Sequence, residues 1–436
     1  MNGFDDLRLV QYRSGLKAVE NGRIIDRWES PKLDQLREFS RELGDPFERL
    51  DLLEANLNCS KCGEKIKDRF SATPAGDLLC WQCANQKDDN PEKERRDKKS
   101  TDPAKVVLGK SGLYHKSLCD YVINVATGCT HGCKFCYVPS TPNITARSDM
   151  LEKKIGVKDG QQEWGSYLLY RDDLPERLAR KLDRKQKWKQ TPRGRGVVML
   201  SSGTDCYQDR RTAQITRGCV IELVKRGFPV RILTRSPAVV RDLDIYKKAS
   251  DLTKSNEGNL VRVGSSIPCL DEEQVKAIEP NAPAPAARLR ALRQLSDAGI
   301  PVYVSMSPTY PTQDRDDFEY LMKEFATLDP EVIFHEPINP RGANFDMTIK
   351  AAREAGGKAK ELADELENIK DRDYWVEYSV KQMRWVEELG EEYNIDVHIW
   401  PDNQVIRATG GELHEKLKKK QEEVSPENIV DVPLPS

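Results

Sequence analysis

The sequence has no long hydrophobic run. No apolar stretch among its 436 residues approaches the ~20 residues that a membrane-spanning helix needs. Its start, MNGFDDLRLV, lacks the basic segment and apolar run of a secretory signal peptide. Excess charge of one sign is also absent, because 69 Lys and Arg face 71 Asp and Glu, so overall charge neither favours nor excludes a nucleic-acid partner. These absences predict a soluble, cytoplasmic protein with no membrane association.

Cysteine is plentiful by contrast, and its spacing is informative. Without an export signal, 11 cysteines indicate metal ligation in a reducing compartment and not disulfides. Four of them form two CxxC pairs separated by 17 residues, namely Cys59, Cys62, Cys80 and Cys83. This spacing predicts a zinc ribbon over residues 58–84, in which the metal supplies folding energy that so short a segment lacks. Such a ribbon could contact nucleic acid or protein, or only brace a neighbouring domain.

Three further cysteines lie in one short loop, GCTHGCKFCYVP. Cys129, Cys133 and Cys136 form a CxxxCxxC pattern, and an ordinary [4Fe–4S] cluster takes four cysteine thiolates. Three ligands would hold such a cluster and leave one iron open to an external ligand. Phe135 and Tyr137 beside the last cysteine would shield it from water. The alternatives are a zinc site that borrows Cys119 or His131, or three unrelated buried thiols. Both are disfavoured, because zinc sites favour CxxC knuckles in pairs.

Downstream of Tyr121, short apolar strands alternate with helical patterns. The strand segments are YVINVAT, GVVMLSSG, PVRILTRS, NLVRVGSSI, PVYVSMSP and EVIFHEPIN. The helices are expected at Asp173–Lys185, Thr212–Arg226, Val239–Lys248, Pro283–Ala298 and Asp316–Thr327. This alternation predicts parallel βα units, and six strands predict an α/β fold with a partial (β/α)6 barrel of the TIM type, whose functional groups gather at the carboxyl ends of the strands. A further strand around Val397 and a helix at Tyr374–Tyr393 would extend or cap it.

The domain boundaries follow from composition. We predict an N-terminal extension at 1–57 with a helix at Pro31–Leu43, the ribbon at 58–84 and a charged linker at 85–110. The barrel occupies 111–400, and 401–436 is a C-terminal tail that frays and ends disordered.

The three-cysteine loop, with its aromatic residue before the last cysteine, resembles the radical S-adenosylmethionine (SAM) superfamily. The resemblance implies a [4Fe–4S] cluster and SAM as cofactors, with the amino and carboxylate groups of SAM on the open iron. It also implies an external one-electron donor, whose electron cleaves SAM to a 5′-deoxyadenosyl radical. The first-strand position of the loop agrees with the (β/α)6 core of that superfamily.

From Val122 to Pro311 the chain is similar to the spore photoproduct lyase-related branch, often described as DNA repair photolyase-like. The resemblance implies cofactor contacts from the strand ends: Ser201, Ser202 and Thr204 near SAM, Arg235 on its carboxylate in place of a lysine, and either Ser265 or Ser266. A guanidinium suits the carboxylate because it can donate two parallel hydrogen bonds. The resemblance gives Glu279, Pro280 and Arg288 a structural role, as a turn and a helix-surface ion pair.

One departure puts the lyase reaction itself in doubt. The lyase returns a hydrogen atom from a cysteine at the end of its second strand, and Gly203 occupies that position here. Cys206 and Tyr207, further on, are our candidates for hydrogen-atom donors, against the alternative of an inert buried thiol.

Other polar residues at the strand ends carry a weaker signal. His335 and Glu336, with Asn339 and Arg341, form either an acid–base site or a barrel-closing network, and Tyr310 could face the same mouth. Three cysteines without a spacing pattern are assigned to structure: Cys119, Cys219 and Cys269.

The sequence thus predicts a radical SAM enzyme that abstracts hydrogen from a macromolecular substrate. Nucleic acid is favoured, for repair or nucleotide modification, with the zinc ribbon as a contact. The alternatives are a radical SAM enzyme that modifies a protein or peptide, and a non-catalytic iron–sulfur and zinc adaptor.

Overall fold

The computed structural model describes most of the chain from Lys98 onward and isolated strands before it. The described residues are 8–12, 15–20, 23–28, 70–72, 78–80, 98–184, 187–191, 194–252, 260–424 and 430–433. The chain divides into two compact units, Met1–Lys93 and Glu94–Ser436. The boundary falls inside the predicted linker.

The first unit contains antiparallel strands. Arg8–Tyr12, Gly15–Glu20 and Arg23–Trp28 form a three-stranded sheet in sequence order, which the sequence did not predict. Phe70–Ala72 pairs with Leu78–Cys80 inside the predicted ribbon. The predicted helix of the N-terminal extension lies outside the described residues.

The zinc-ribbon prediction falls largely outside the described residues as well. Cys59, Cys62 and Cys83 are not among them, and of Cys80 only the backbone strand is described. The four-thiolate zinc site therefore stays a prediction.

The second unit is built on a sheet of seven parallel strands, which we number in chain order. They are β1 (Tyr121–Ile123), β2 (Val198–Leu200), β3 (Val230–Leu233), β4 (Val261–Ser266), β5 (Val302–Thr309), β6 (Ile333–Pro337) and β7 (Val397–Ile399). Each pairs with the next in sequence order, and an eighth strand, Gly109–Lys110, runs antiparallel along β1. In the described part of the chain β1 and β7 do not pair, so the barrel is open there. The six predicted strands are confirmed, and the strand around Val397 extends the sheet.

Helices cover the outside of the barrel. The larger ones are Ser148–Ile155, Leu174–Leu182, Arg210–Val224, Leu243–Leu252, Pro285–Asp297, Arg315–Ala326, Ala343–Ala355, Gly357–Asn368, Arg372–Glu392 and Gly411–Val424, and the shorter ones are Pro142–Thr145, Glu272–Ile278 and Asn403–Ala408. Three short 3-10 helices lie at Gly112–Lys116, Val138–Ser140 and Pro237–Asp242. In Pro285–Asp297 the predicted apolar stripe of Leu289, Leu292 and Leu295 is buried, because leucines three residues apart share one helix face.

Part of the predicted linker belongs to the fold. Lys99–Thr101 pairs with Leu168–Tyr170, which in turn pairs with Ala126–Thr127 directly before the three-cysteine loop. The Asp102 carboxylate that follows is buried with guanidinium groups. The far end of the predicted linker is therefore fixed to the fold, because strand pairing and a buried carboxylate with charged partners hold it there.

The predicted tail also differs from expectation. Helix Asn403–Ala408 and helix Gly411–Val424 pack on the unit, with Leu417 buried in its core. Val430–Pro433 pairs antiparallel with Lys187–Thr191. The expectation of a disordered end is wrong for these residues, because a ladder formed with a segment some 240 residues earlier leaves no local sequence signal. No helix in the described ranges is both long and apolar enough to cross a membrane.

Candidate active site at the carboxyl ends of the strands

The three cysteines lie together at one end of a cavity of about 600 Å³, which the carboxyl ends of the barrel strands surround. Burial raises the pKa of the Cys129, Cys133 and Cys136 thiols to about 12 each, and each thiol's pKa is raised further by a neighbouring thiol of the set. Thiols placed so close and so far from water ionise only when a cation compensates the charge.

Glycines allow the loop to fold this tightly. Gly128 has φ +93°, and a Cβ there would lie 2.3 Å from the Tyr167 carbonyl oxygen. Gly132 has φ +62° and packs its backbone against that of Gly165, where a Cβ would lie 2.8 Å from the Gly132 Cα. Only glycine tolerates both the left-handed backbone and these approaches.

Hydrogen bonds clamp the loop from two sides. The Lys134 N–H donates to the Ile278 carbonyl (2.8 Å), and Asn281 donates from its side chain to the Thr130 carbonyl (3.1 Å). On the other side Gln208 accepts from the Thr130 backbone N–H (2.6 Å). The loop is therefore held in place by protein contacts that are independent of any cluster.

Thr204 belongs to this clamp. Its hydroxyl donates to the Gly128 carbonyl (2.5 Å) and accepts from the Gln208 side-chain amide (2.9 Å). Although Thr204 lines the cavity, these bonds commit its hydroxyl to the loop. Thr204 therefore also helps to position the loop, and its place near SAM stays a prediction.

Asp205, buried beside Thr204, joins the loop to β3. Its carboxylate accepts from the Thr234 hydroxyl (2.6 Å) and the Arg235 backbone N–H (2.8 Å). The His131 Nδ1 lies 3.5 Å from the same carboxylate. Burial lowers the pKa of His131 against the opposing charge of Asp205. Burial thus favours the neutral imidazole of His131 beside the cysteine loop.

Arg235 lines the cavity next to the cysteine loop. Its guanidinium lies 5.5 Å from the centre of the Phe135 ring, and its Nε donates to Glu279 (3.3 Å). Burial lowers and the Glu279 carboxylate raises the pKa of Arg235, with a net rise, so the group is a permanent cation beside the thiols. Phe135 and Tyr137 line the same cavity, as predicted.

The serines at the strand ends face different sides of their strands. Ser266 lines the cavity, whereas Ser265 faces away and donates to the Thr234 carbonyl (2.6 Å). Ser201 and Ser202 line the cavity as well. Ser201 has φ +85°, and its hydroxyl is buried. Backbone strain held at such a place is characteristic of ligand sites.

The structure does not bring Cys206 and Tyr207 to the cavity. Cys206 is fully buried in the core, and burial raises its thiol pKa well above the usual value. The Tyr207 hydroxyl is paired with Asp242 (2.9 Å) and Tyr246 (2.6 Å). Both residues lie behind the β2 end, so their assignment as hydrogen-atom donors is not supported by their positions.

His335 and Glu336 do not form an acid–base pair. They are neighbours in β6, so their side chains point to opposite faces. The His335 imidazole packs against Phe318 on a covering helix, and burial lowers its pKa to about 3. Both residues line the cavity, and Glu336 forms an ion pair there with Lys116.

The other residues that were predicted near the cavity make contacts within the fold. Asn339 (3.3 Å) and Arg341 (2.5 Å) both donate to Asp402, which caps helix Asn403–Ala408. Tyr310 is buried and does not line the cavity. The same holds for the three cysteines without a spacing pattern, Cys119, Cys219 and Cys269.

The donor set fits a [4Fe–4S] cluster better than a single ion. No group of three or more His, Cys, Asp or Glu side chains in the described ranges is arranged around one metal-sized point. Two buried thiols and one partly buried thiol beside a cavity suit a cluster, whose thiolates bind separate irons. Cys129, Cys133 and Cys136 would hold such a cluster, which would supply the positive charge that three thiolates need.

The clamp formed by Gln208 could not be predicted, although the polar segment directly after β2 was a signal for it. Glu279 pairs with Arg288 as the resemblance implies, but the pair is buried and not on a helix surface. The second partner of Glu279, Arg235, lies 44 residues away in the sequence.

Comparisons with known proteins agree with this site. The family model described as the Radical SAM superfamily matches residues 123–325. An uncharacterized protein of Acidianus two-tailed virus is 32% identical over 271 residues, which cover 61% of this chain and 82% of the viral protein. An uncharacterized protein of Methanocaldococcus jannaschii is 30% identical over 205 residues, 47% of this chain and 65% of that protein. A solved structure of spore photoproduct lyase with a dinucleoside spore photoproduct is similar at 16% identity and a TM-score of 0.39, over 57% of this chain and 64% of the lyase. This chain belongs to the radical SAM superfamily.

Proposed function

We propose that this radical SAM enzyme abstracts hydrogen from a macromolecular substrate, with nucleic acid as the favoured class. The observation that carries the proposal is the shared cavity. The three cysteine thiols, a permanent cation at Arg235, and Ser201, Ser202 and Ser266 all line it. A [4Fe–4S] cluster bound there would supply the electron that cleaves SAM to a 5′-deoxyadenosyl radical.

The residues of the chain have separate tasks in this arrangement. Cys129, Cys133 and Cys136 would hold the cluster, and the Arg235 guanidinium would pair with the SAM carboxylate. Ser201 and Ser266 offer hydroxyls to the bound cofactor from two strand ends.

The mouth of the cavity suits a large substrate. Tyr137 lines the cavity beside the thiols and is 57% exposed, so solvent reaches the cluster side directly. A polymer could therefore approach with only its reacting residue entering, although a base within a duplex would first have to leave the stack.

Support for nucleic acid is by analogy. It comes from the motifs between Val122 and Pro311 that resemble the photolyase-like branch, and from the predicted zinc ribbon. A fold hosts many chemistries, so this support concerns the substrate class only. Residence in the cytoplasm, where thiols stay reduced, is part of the proposal.

Anaerobic reconstitution tests the core of the proposal. With dithionite and SAM, we expect formation of 5′-deoxyadenosine, and the Cys133→Ala variant should form none. Formation of none by the wild type would instead support the non-catalytic adaptor.

Photocrosslinking to a bromodeoxyuridine-containing single strand tests the substrate class. Crosslinks that disappear when residues 58–84 are deleted would support nucleic acid and the ribbon contact. Crosslinks absent from the wild type would favour a protein or peptide substrate. Deuterium transfer from a labelled oligonucleotide into 5′-deoxyadenosine or recovered SAM would show whether SAM is consumed.

A further inference from the structure

Glu279 is a buried carboxylate shared by two arginines. It is fully buried, and its Oε2 accepts from Arg288 and from the Nε of Arg235 (3.3 Å). We infer that Glu279 is a positioning residue, which fixes the Arg235 guanidinium beside the cysteine loop so that its remaining N–H groups meet the SAM carboxylate. The inference rests on the proposed function, because it requires SAM in this cavity.

The two arginines have different surroundings. Arg288 is itself fully buried and donates to the Pro283 carbonyl (2.7 Å) and the Ser266 carbonyl (2.9 Å), so its donors are used inside the fold. Arg235 lines the cavity with 19% of its side chain exposed. No described residue accepts a hydrogen bond from its two terminal nitrogens. They are therefore available to a ligand.

Within the group of Glu279, Arg235 and Arg288, the charges add up to one net positive charge on the cavity side. One carboxylate between two guanidinium groups leaves a single positive charge, and Arg288 is the fully enclosed member. A purely structural ion pair would need only one arginine for Glu279. The second arginine gains nothing in the core, but it meets the charge requirement of a bound carboxylate.

Three contacts fix Arg235, one through its backbone and two through its side chain. Its backbone N–H donates to Asp205 (2.8 Å), its Nε donates to Glu279, and its guanidinium packs over Phe135, which lies between two of the cysteines. Of these, only the Glu279 bond sets the direction of the guanidinium fork. An arginine without that bond loses rotamer freedom when a ligand orders it, which weakens binding by roughly 10- to 30-fold.

Glu279 is also adjacent to the clamp on the cysteine loop. The neighbouring Ile278 carbonyl accepts from the Lys134 N–H (2.8 Å). The segment Ile278–Glu279 thus contacts both the cysteine loop and the Arg235 guanidinium. A single carboxylate therefore couples the position of the cation to the position of the loop.

A double-mutant cycle on SAM affinity tests the inference. SAM is titrated anaerobically into reconstituted wild type, Glu279→Gln, Arg235→Gln and the double variant, and binding is followed by the electron paramagnetic resonance spectrum of the reduced cluster. We expect about 10- to 100-fold weaker binding for Arg235→Gln and about 10-fold for Glu279→Gln. In the double variant, Glu279→Gln should add no further loss, because its effect passes through Arg235.

Two results would overturn the inference while leaving the proposed function intact. One is Glu279→Gln binding SAM within twofold of wild type, and the other is a double variant whose losses multiply. A wild type that assembles the cluster but does not bind SAM would instead refute the proposed function.

Two further variants keep the test interpretable. Glu272→Gln makes the same substitution at an exposed position of the preceding helix and should leave SAM affinity unchanged. If Glu279→Gln does not fold, Glu279→Gln/Arg288→Met removes the unpaired buried charge together with its partner. That variant should fold and still bind SAM about 10-fold more weakly, and wild-type affinity in it would refute the positioning role.

Discussion

Gln208→Leu removes the clamp between the β2 end and the cysteine loop without touching a cysteine. The Gln208 amide oxygen accepts from the Thr130 backbone N–H (2.6 Å) and hydroxyl (3.1 Å). Its amide nitrogen donates to the Thr204 hydroxyl (2.9 Å) and the Asp205 carbonyl (2.8 Å). Leucine is similar in size but makes none of these bonds.

The expected loss of stability follows from these four hydrogen bonds. At about 0.5–1.5 kcal/mol each, and counting the two bonds to Thr130 as partly shared, the free energy of unfolding should fall by roughly 3 kcal/mol. In a unit as long as Glu94–Ser436 this lowers Tm by only about 4 °C, since the unfolding entropy grows with length. If about half of this lost free energy had opposed opening of the cysteine loop, the loop opens roughly tenfold more often.

Two measurements check this. Thermal unfolding of the apo protein reports the global loss. Anaerobic release of iron from the reconstituted protein to a chelator reports loop opening, and we expect it to be about tenfold faster than in wild type. Gln214→Leu, at an exposed position of helix Arg210–Val224, is the matched control and should change neither. Iron release at the wild-type rate in Gln208→Leu would refute the reasoning.

Three further predictions follow from single residues. Burial would raise the pKa of Asp102, but the hydrogen bond from Arg147 and the charge of Arg171 lower it from 3.8 to about 2. Its ionised form therefore contributes roughly 2 kcal/mol that is present above pH 4 and lost as pH falls toward 2. Asp102→Asn should therefore flatten the acid limb of an unfolding-versus-pH curve, and an unchanged limb would contradict this. Cys206→Ala should keep 5′-deoxyadenosine formation within about twofold of wild type while costing about 1–2 kcal/mol of stability, and a tenfold activity loss with the fold intact would show that the thiol does reach the reaction. Gly128→Ala should fold poorly and retain no cluster, because its methyl group would meet the Tyr167 carbonyl; normal iron content after reconstitution would refute it.

The sequence by itself determined the cysteine loop, the order of the strands and the helix phases. These features are local: Cys129, Cys133 and Cys136 lie within eight residues, and the apolar stripe of Leu289 and Leu292 repeats within one helix. Local spacing survives any tertiary arrangement, so it can be read before the fold is known.

Tertiary structure decided which side chains reach the cavity. Whether Ser265 or Ser266 faces inward depends on strand register, and a shift of one residue exchanges the two faces. The same alternation separates His335 from Glu336. Cys206 lies in a turn whose direction is set by its packing against the core, and no spacing pattern reports that.

Long-range partners were equally beyond the sequence. Glu279 meets Arg235 only because β3 and β4 are neighbours in the barrel, and Asp102 is ordered by residues that follow the cysteine loop. Such contacts arise when distant segments share a low-dielectric interior, where a charge must find an opposite charge. The sequence supplied the charges, and the fold selected their partners.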